Sequence, residues 1–205
     1  TYNAADKITV PAGAAAKYAV GGKIKWTQTT VKYGVIVAVA DELLTIAVNT
    51  DYVVTDAAIS ANYYSHSENP VGFPHRFAIT LTLTCATPGD LSVAYTTRLG
   101  GYSIIGRMIT FYWYIFTSTW TFTTASGNLQ ITGLPVNPVG YATGNIDFQG
   151  ITKANYTNFT PQFSAGVNAV EIYAGASAQN RSAISAANTT SATNVFLRGS
   201  ITGWF

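Results

Sequence analysis

Residues with catalytic or metal-binding chemistry are few in this sequence and widely spaced. The two histidines, His66 and His75, flank a Pro- and Gly-containing stretch, and Glu68 lies between them. A metal centre needs several converging ligands, so this trio favours exposed loop residues over a metal site. We therefore predict no metal and no cofactor.

Carboxylates are also scarce after residue 76, where they are limited to Asp90, Asp147 and Glu171. A glycosidase would need two of them roughly 5 to 10 Å apart across a cleft. No pattern in the sequence places Asp147 and Glu171 together, so they would meet only by chance of the fold. Asp90 follows Pro88 and Gly89, which is typical of a turn. Neither a nucleophile elbow nor a phosphate loop occurs. We predict no catalytic residue and expect the chain not to be an enzyme.

The most unusual stretch is ITFYWYIFTSTWTFTT, residues 109–124. Alternate residues of its first half place one apolar set on each face of an extended strand. A strand of an antiparallel sheet normally shows one polar face to water. The predicted core face holds Ile109, Phe111, Trp113 and Ile115, and the opposite face holds Tyr112, Tyr114 and Phe116.

Composition narrows the class of protein further. Only 10% of the 205 residues are charged, against about 25% in typical domains. The net charge of +2 is too small to favour nucleic acid as a partner. No apolar run approaches the length of a membrane span, and no signal peptide opens the chain. The chain does not begin with Met, as expected for a processed chain or a piece of a longer one.

The pattern of strands and turns predicts an all-β protein of two domains. Residues 1–69 form short strands with a turn at Gly21–Gly22, which suggests a small SH3- or OB-like barrel. Residues 70–76, PVGFPHR, read as a linker. Residues 77–205 read as many short strands, typical of a β-sandwich of the jelly-roll kind. Within the first domain, TDAAISANYYS (55–65) is the one predicted helix, opened by an N-cap at Thr55 or Asp56.

Two loops could bind saccharide, because aromatic faces pack on sugar C–H groups while amides bind hydroxyls. VGYATGN (139–145) and ANYTNFTPQF (154–163) read as loops on a rigid scaffold, where binding sites tend to lie. Packing of these aromatic residues within their own loops is the alternative. The candidate glycan-binding residues are Tyr141, Asn155, Tyr156, Asn158 and Phe159.

Two groups of motifs resemble proteins of tailed bacteriophages. YAVGGKIKWTQTTVKYGVIVAVADELLTIAVNTDY (18–52) and NYYSHSENPVGFP (62–74) resemble a small β-barrel module of tail and fibre proteins. Three further motifs resemble the C-terminal β-sandwich of virion surface proteins. They are TPGDLSVAYTTRLGGYSIIGRMITFYW (87–113), TTASGNLQITGLP (123–135) and QGITKANYTNFTPQF (149–163). The FYWYIF stretch departs from that pattern, which carries more polar residues there.

The resemblance implies a non-enzymatic virion protein, a tail or fibre component that binds other virion proteins and could bind a host-surface glycan. It also implies a homotrimer, in which Tyr112, Tyr114 and Phe116 pack against a neighbouring subunit or the small barrel. Coverage of both strand faces within one chain is the alternative. Two other functions stay open, a capsid or neck decoration protein and a monomeric carbohydrate-binding module. None of these functions requires nucleic acid or membrane insertion.

Overall fold

The computed structural model describes residues 1–164 and 166–205. The all-β prediction is confirmed, with a curled half-barrel sheet and a second sheet. In chain order the elements are β1 (Tyr2–Ala4), β2 (Lys7–Thr9), α1 (Ala14–Lys17), β3 (Lys23–Gln28), β4 (Thr30–Ala40), β5 (Leu43–Ala47), β6 (Ser60–Ser65), β7 (Phe77–Ala78), β8 (Thr82–Thr87), β9 (Ser92–Ile105), β10 (Met108–Thr121), β11 (Ser126–Thr132), β12 (Ala142–Gln149), β13 (Asn158–Phe163), β14 (Ala169–Gly175), β15 (Ser182–Ala183), a 3-10 turn (Ala186–Asn188) and β16 (Phe196–Trp204).

The first of two compact units comprises Thr1–Ala78, Tyr102–Ile109 and Phe205. Its six-stranded antiparallel sheet has the order β1-β2-β5-β4-β3-β6. β4 and β5 form a hairpin that turns at Asp41 and Glu42, with Ala40 opposite Leu43. Residues 70–76, which the sequence suggests as a linker, belong to this unit.

A buried tryptophan and a buried glutamine organise the core of the first unit. Trp26 has no exposed surface and packs among Ile24, Ile36, Leu44 and Ile46. The side chain of Gln28 accepts a hydrogen bond from Trp26 Nε1 at 3.1 Å. Gln28 Nε2 also donates to the backbone oxygens of Thr55 at 2.7 Å and Ala57 at 3.0 Å. Buried polar atoms need such partners, so Gln28 holds the segment after Thr55 in place.

The predicted helix at 55–65 is wrong. The backbone carbonyls of Thr55 and Ala57 accept hydrogen bonds from Gln28 Nε2. The Thr55 carbonyl also accepts from Ala57 N–H, which lies two residues on and not four as in an α-helix. The rest of the segment is β6, which pairs with β3. The helix of this unit is instead α1, an Ala-rich turn that follows Gly13 in the left-handed region at φ 85°. Pairing with an existing sheet has overridden a weak local helix preference.

The second unit comprises Ile79–Gly101 and Thr110–Trp204. The larger sheet has ten strands in the order β7-β9-β10-β16-β12-β13-β14-β11-β8, with β15 paired to β14. The sheet folds over itself, because Leu83 N–H on β8 donates to the Tyr95 hydroxyl on β9 at 3.0 Å. Gly100 on β9 also lies against Leu81, which precedes β8; an added Cβ would be 2.4 Å from the leucine side chain. Two layers result, as in the predicted sandwich.

The predicted core face of β10 is confirmed. Its four members, Ile109, Phe111, Trp113 and Ile115, are at most 2% exposed. The strand is longer than its sequence suggests, since β10 continues without a break to Thr121.

Two further strand predictions differ from the structure. β9 continues through Gly100 and Gly101, although a Gly-Gly pair is typical of a turn. Gly100 provides room for Leu81 and does not reverse the chain. β13 falls within residues 154–163, which the sequence predicts as a binding loop. It pairs along its whole length with β14, whereas its pairing with β12 is confined to Gln162 and Phe163. Pro161 therefore lies beside an incomplete ladder, where a missing N–H is tolerated.

Candidate functional site

The most prominent surface of the second unit is one face of three adjacent strands, β10, β16 and β12. β16 lies between the other two, and it pairs with β12 so that Arg198 faces Asp147 and Ser200 faces Asn145. Leu197, Ile201 and Gly203 of β16 are buried, so the alternate residues point outward. We call this surface the outer face. Its β16 members are Phe196, Arg198, Ser200, Thr202 and Trp204.

One end of the outer face is aromatic and holds the residues predicted for a subunit interface. We call this group, Tyr112, Tyr114, Phe116 and Phe196, the aromatic patch. The ring of Phe196 lies 5.6 Å from that of Tyr114 and 6.3 Å from that of Phe116, between centroids. Phe196 therefore covers part of the second face of β10 from within the chain. Tyr114 remains 38% exposed, and β10 carries no charged residue from Met108 to Thr121.

The opposite end of the outer face carries a second apolar group. Val139, Tyr141 and Trp204 are 58%, 77% and 60% exposed. Val139 N–H donates to the backbone oxygen of Trp204 at 2.8 Å, which fixes this segment beside the last strand. Trp204 ends β16, and most of its surface is open.

Between the two apolar ends lies a polar segment. Arg198 Nη2 and Asp147 Oδ2 form an ion pair at 3.0 Å, and both side chains are more than half exposed. A shallow cavity of about 310 Å³ lies along this segment, lined by Asn145, Ile146, Asp147, Arg198, Gly199 and Ser200. The charges of the pair offset each other, so the outer face offers amide, hydroxyl and paired ionic groups without a net field.

Two of the candidate glycan-binding aromatic residues are engaged inside the chain. The Tyr156 hydroxyl donates to the backbone oxygen of Asn180 at 2.9 Å, and Lys153 Nζ lies 5.6 Å from the Tyr156 ring. The Phe159 ring packs edge-on against Phe148 at 4.3 Å. Each ring therefore already has a partner on the second unit.

The two asparagines of that set have different surroundings. Asn155 is exposed in a turn with φ 66°, a left-handed conformation that asparagine tolerates better than most residues. Asn158 is exposed at the start of β13, opposite Gly175. Asn158 and Phe159 thus lie on a strand, and the expectation that all five residues occupy loops is wrong for these two.

Tyr141 lies apart from the other four glycan candidates. It precedes Ala142, which pairs with Phe163 at one end of β13, whereas Asn158 begins the other end of that strand. At about 3.3 Å per residue the two ends are about 16 Å apart. Tyr141 instead lies two residues after Val139, which pairs with Trp204.

The carboxylates that could have formed a catalytic pair are not brought together. Asp147 lies on the outer face, and Glu171 lies on β14, which is separated from β12 by β13. The strand registers place their backbones on the order of 15 Å apart. Asp90 is a turn residue, as predicted: its carboxylate accepts from the backbone N–H and hydroxyl groups of Thr123 and Thr124. These hydrogen bonds hold the pKa of Asp90 well below its usual range.

Glu171 is the most buried carboxylate, at 6% exposed. Burial alone would raise its pKa, but hydrogen bonds from four neutral side chains together lower it. These donors are Asn128 at 3.0 Å, Gln130 at 3.2 Å, Ser164 at 2.9 Å and Tyr173 at 3.0 Å. The network can account for a stable buried charge on the sheet without any catalytic role.

The described residues show neither a metal centre nor a membrane helix. Across residues 1–164 and 166–205, no three His, Cys, Asp or Glu side chains are grouped to hold a metal ion. His66 Nδ1 lies 3.1 Å from the Tyr64 hydroxyl, within hydrogen-bond distance. In the same described part of the chain, no helix has the length and apolar character to cross a bilayer.

Comparisons with known proteins give one structural likeness to report. The sequence matches no protein family and no curated protein. A crystal structure of the Dettilon tailspike protein superposes on 63% of this chain with a TM-score of 0.49 and 15% sequence identity. The match spans 24% of the tailspike chain. A likeness of this degree carries no inference about function.

Proposed function

We propose that the protein is a non-enzymatic structural component of a phage tail or fibre, assembled as a homotrimer. The motifs of residues 18–52, 62–74, 87–113, 123–135 and 149–163 support the virion class, because they resemble tail and fibre modules in order as well as in content. On this proposal the protein belongs to the phage particle, and its partners are copies of itself and other virion proteins.

The observation that carries the assembly proposal is the aromatic patch. Exposed contiguous apolar surface on a protein marks an interaction site, and interface cores are rich in Tyr and Phe and poor in charge. Tyr114 at 38% exposed adjoins Phe116 and Phe196, on a strand without any charge. A second copy of the chain fits this uncharged surface, since neither side would bury an unpaired ion.

Light scattering on the purified protein tests the assembly. The mass of one chain is 21.8 kDa, so a trimer has three times that mass, about 65 kDa. Tyr114→Lys should place a charge in the interface and release monomers. Tyr63→Lys is the matched control, because Tyr63 is 62% exposed in the first unit and should leave the mass unchanged. A folded monomer for the unmodified chain would remove the trimer from the proposal.

A second candidate function is recognition of a host-surface glycan at the Trp204 end of the outer face. Trp204 at 60% and Tyr141 at 77% exposed offer two aromatic surfaces, and the polar segment of Asn145, Asp147 and Arg198 adjoins them along the same strands. Sugar C–H faces pack on such rings while planar polar groups bind hydroxyls. This arrangement favours the outer face over the Asn155–Phe159 segment, whose rings are already engaged.

An array of bacterial glycans tests the second candidate. Trp204→Ala should abolish any binding, whereas Trp204→Phe should retain part of it because an aromatic face remains. Glycan binding that survives Trp204→Ala but disappears with Tyr156→Ala would indicate that the site lies in residues 154–163, as the sequence predicts, and not at Trp204. Binding of the protein to purified capsids in place of host cells would favour a decoration protein, and a glycan-binding monomer would favour a carbohydrate-binding module.

A further inference from the structure

The first unit contains a cavity with charged walls that the outer face does not involve. Its volume is about 360 Å³, within the range of pockets that hold small molecules. The side chains that define its chemistry are Lys23, Glu68, Phe73, His75, Arg76 and Ser103. The predicted linker thus contributes three of these residues, Phe73, His75 and Arg76.

The ammonium group of Lys23 is the central feature of this cavity. Lys23 is 3% exposed, and its Nζ donates to the backbone oxygen of Ile104 at 2.8 Å. Nζ also lies 5.5 Å from the centroid of the Phe73 ring. An ammonium group has three N–H donors, and within the described residues Ile104 supplies its one hydrogen-bond acceptor. Lys23 also lines the cavity, so an anion bound there would meet its ammonium group.

A second buried lysine in the same unit shows what a purely structural lysine looks like. Lys32 is 6% exposed. Its Nζ donates to the backbone oxygen of Val53 at 2.6 Å and lies 3.5 Å from Gln28 Oε1. Lys32 therefore has two protein acceptors, while Lys23 has one and borders open space. Burial lowers the pKa of Lys23 to about 8, an effect that the charge of Glu68 partly opposes, so the amine is still mostly charged at pH 7.

The balance of charge in the cavity is positive. Lys23 and Arg76 carry positive charges, His75 adds an imidazole ring, and Glu68 is the one carboxylate among the lining residues. Phe73 supplies an apolar wall. We propose that this cavity binds a small oxyanionic ligand, either a carboxylate-bearing sugar or a phosphate group, with the Lys23 ammonium as its main anchor. Glu68 weakens the binding by repulsion, and Phe73 packs against the non-ionic part of the ligand.

Isothermal titration calorimetry at pH 7 with sodium glucuronate, inorganic phosphate and glucose tests the proposal. Glucuronate or phosphate should bind and glucose should not, and a preference between the two anions identifies the source of the oxyanion. Lys23→Met should weaken binding about tenfold or more, because the nearest charge is lost. Glu68→Gln should strengthen it about threefold, because the repulsion is removed.

Lys25→Met is the matched control for charge. Lys25 lies two residues along β3, with its Nζ 5.1 Å from the Tyr63 ring, and does not line this cavity. Its loss should leave the affinity unchanged. Equal weakening by Lys23→Met and Lys25→Met, or equal binding of glucose and glucuronate, would overturn the proposal. If Lys23→Met does not fold, the anion affinity of Glu68→Gln tests the proposal on its own. An affinity that is unchanged or weaker in Glu68→Gln would overturn the proposal.

Discussion

Replacement of Lys23 by Met should stabilise the protein near pH 7 and destabilise it slightly at high pH. The reason is that the folded chain keeps an ammonium group at 3% exposure. Within residues 1–164 and 166–205 it has no ion-pair partner, only the more distant charge of Glu68. Methionine fills a similar volume without a charge to desolvate.

The size of the effect follows from proton affinity. The pKa of Lys23 falls from 10.5 to about 8 on folding. At about 1.4 kcal/mol for each tenfold change in proton affinity, this corresponds to a destabilisation of up to about 3 kcal/mol when the amine is protonated. Methionine also loses the hydrogen bond to Ile104 O, which costs about 1 kcal/mol at any pH. The net gain at pH 7 is therefore about 2 kcal/mol.

The pH dependence has a definite sign. Between pH 8 and 10.5 the unfolded chain holds a proton on Lys23 that the folded chain has released. The free energy of unfolding of the natural sequence therefore rises with pH across this window. Above it the desolvation cost is gone, and the lost hydrogen bond leaves Lys23→Met less stable by about 1 kcal/mol.

Urea denaturation at pH 7, 8, 9 and 10, followed by tryptophan fluorescence, measures the difference. Lys25→Met serves as control for the general loss of one positive charge. A Lys23→Met variant that is less stable than the natural sequence by the same amount at every pH would refute the reasoning. It would mean that the amine is not effectively desolvated in the folded protein.

Three other substitutions have effects that follow from single contacts. Tyr102→Phe should stabilise the protein by about 1 kcal/mol in thermal or urea denaturation, because the buried Tyr102 hydroxyl has no hydrogen-bond partner among the described residues; a loss of stability would contradict this. Gly199→Ala should cost several kcal/mol or prevent folding, since the new Cβ would be 2.3 Å from Asn145 O, while Gly175→Ala, with nothing within 4 Å, should fold normally by circular dichroism. Glu171→Gln should lower the free energy of unfolding by about 1 to 3 kcal/mol at pH 7. Because folding lowers the pKa of Glu171, the stability difference between the two proteins should shrink as acid protonates the carboxylate. A stability difference that is constant from pH 7 to 3 would exclude a charged network.

The core of β10 could be predicted because its burial follows from strict alternation. Ile109, Phe111, Trp113 and Ile115 repeat with the period of two that a strand imposes, and no other arrangement buries all four. The turn role of Asp90 was also predictable, since Pro88 and Gly89 define a turn locally. In both cases the information lies within a few neighbouring residues.

The elements that sequence reasoning missed depend on distant partners. β13 and β6 mix aromatic residues with Asn, Ser and Pro, which leaves the local preference ambiguous, and they become strands because β14 and β3 offer them a ladder. Gly100 resembles a turn residue in the sequence, and only the position of Leu81 explains it as a site of close approach. Strand preference depends strongly on such context.

The candidate sites show the same limit. Tyr112, Tyr114 and Phe116 could be selected from alternation, but their partner Phe196 lies 80 residues after Phe116 and follows only from the position of β16 beside β10. Tyr141 was selected for its residue type, and its neighbour Trp204 was not. Lys23 carries no sequence signal of its burial, because the cavity around it is assembled from three separate segments.

The position of β16 has a consequence for how the protein is made. The last strand of the chain lies in the interior of the larger sheet, hydrogen-bonded to β10 on one side and to β12 on the other. During synthesis the edges of β10 and β12 that bind β16 therefore lack a partner strand until residues 196–204 emerge. Such unpaired strand edges pair readily with other chains. Sheets that depend on contacts distant in sequence also fold slowly. Nascent chains on one messenger are thus exposed to mispairing, and a chaperone that covers β10 during synthesis should raise the yield of native protein.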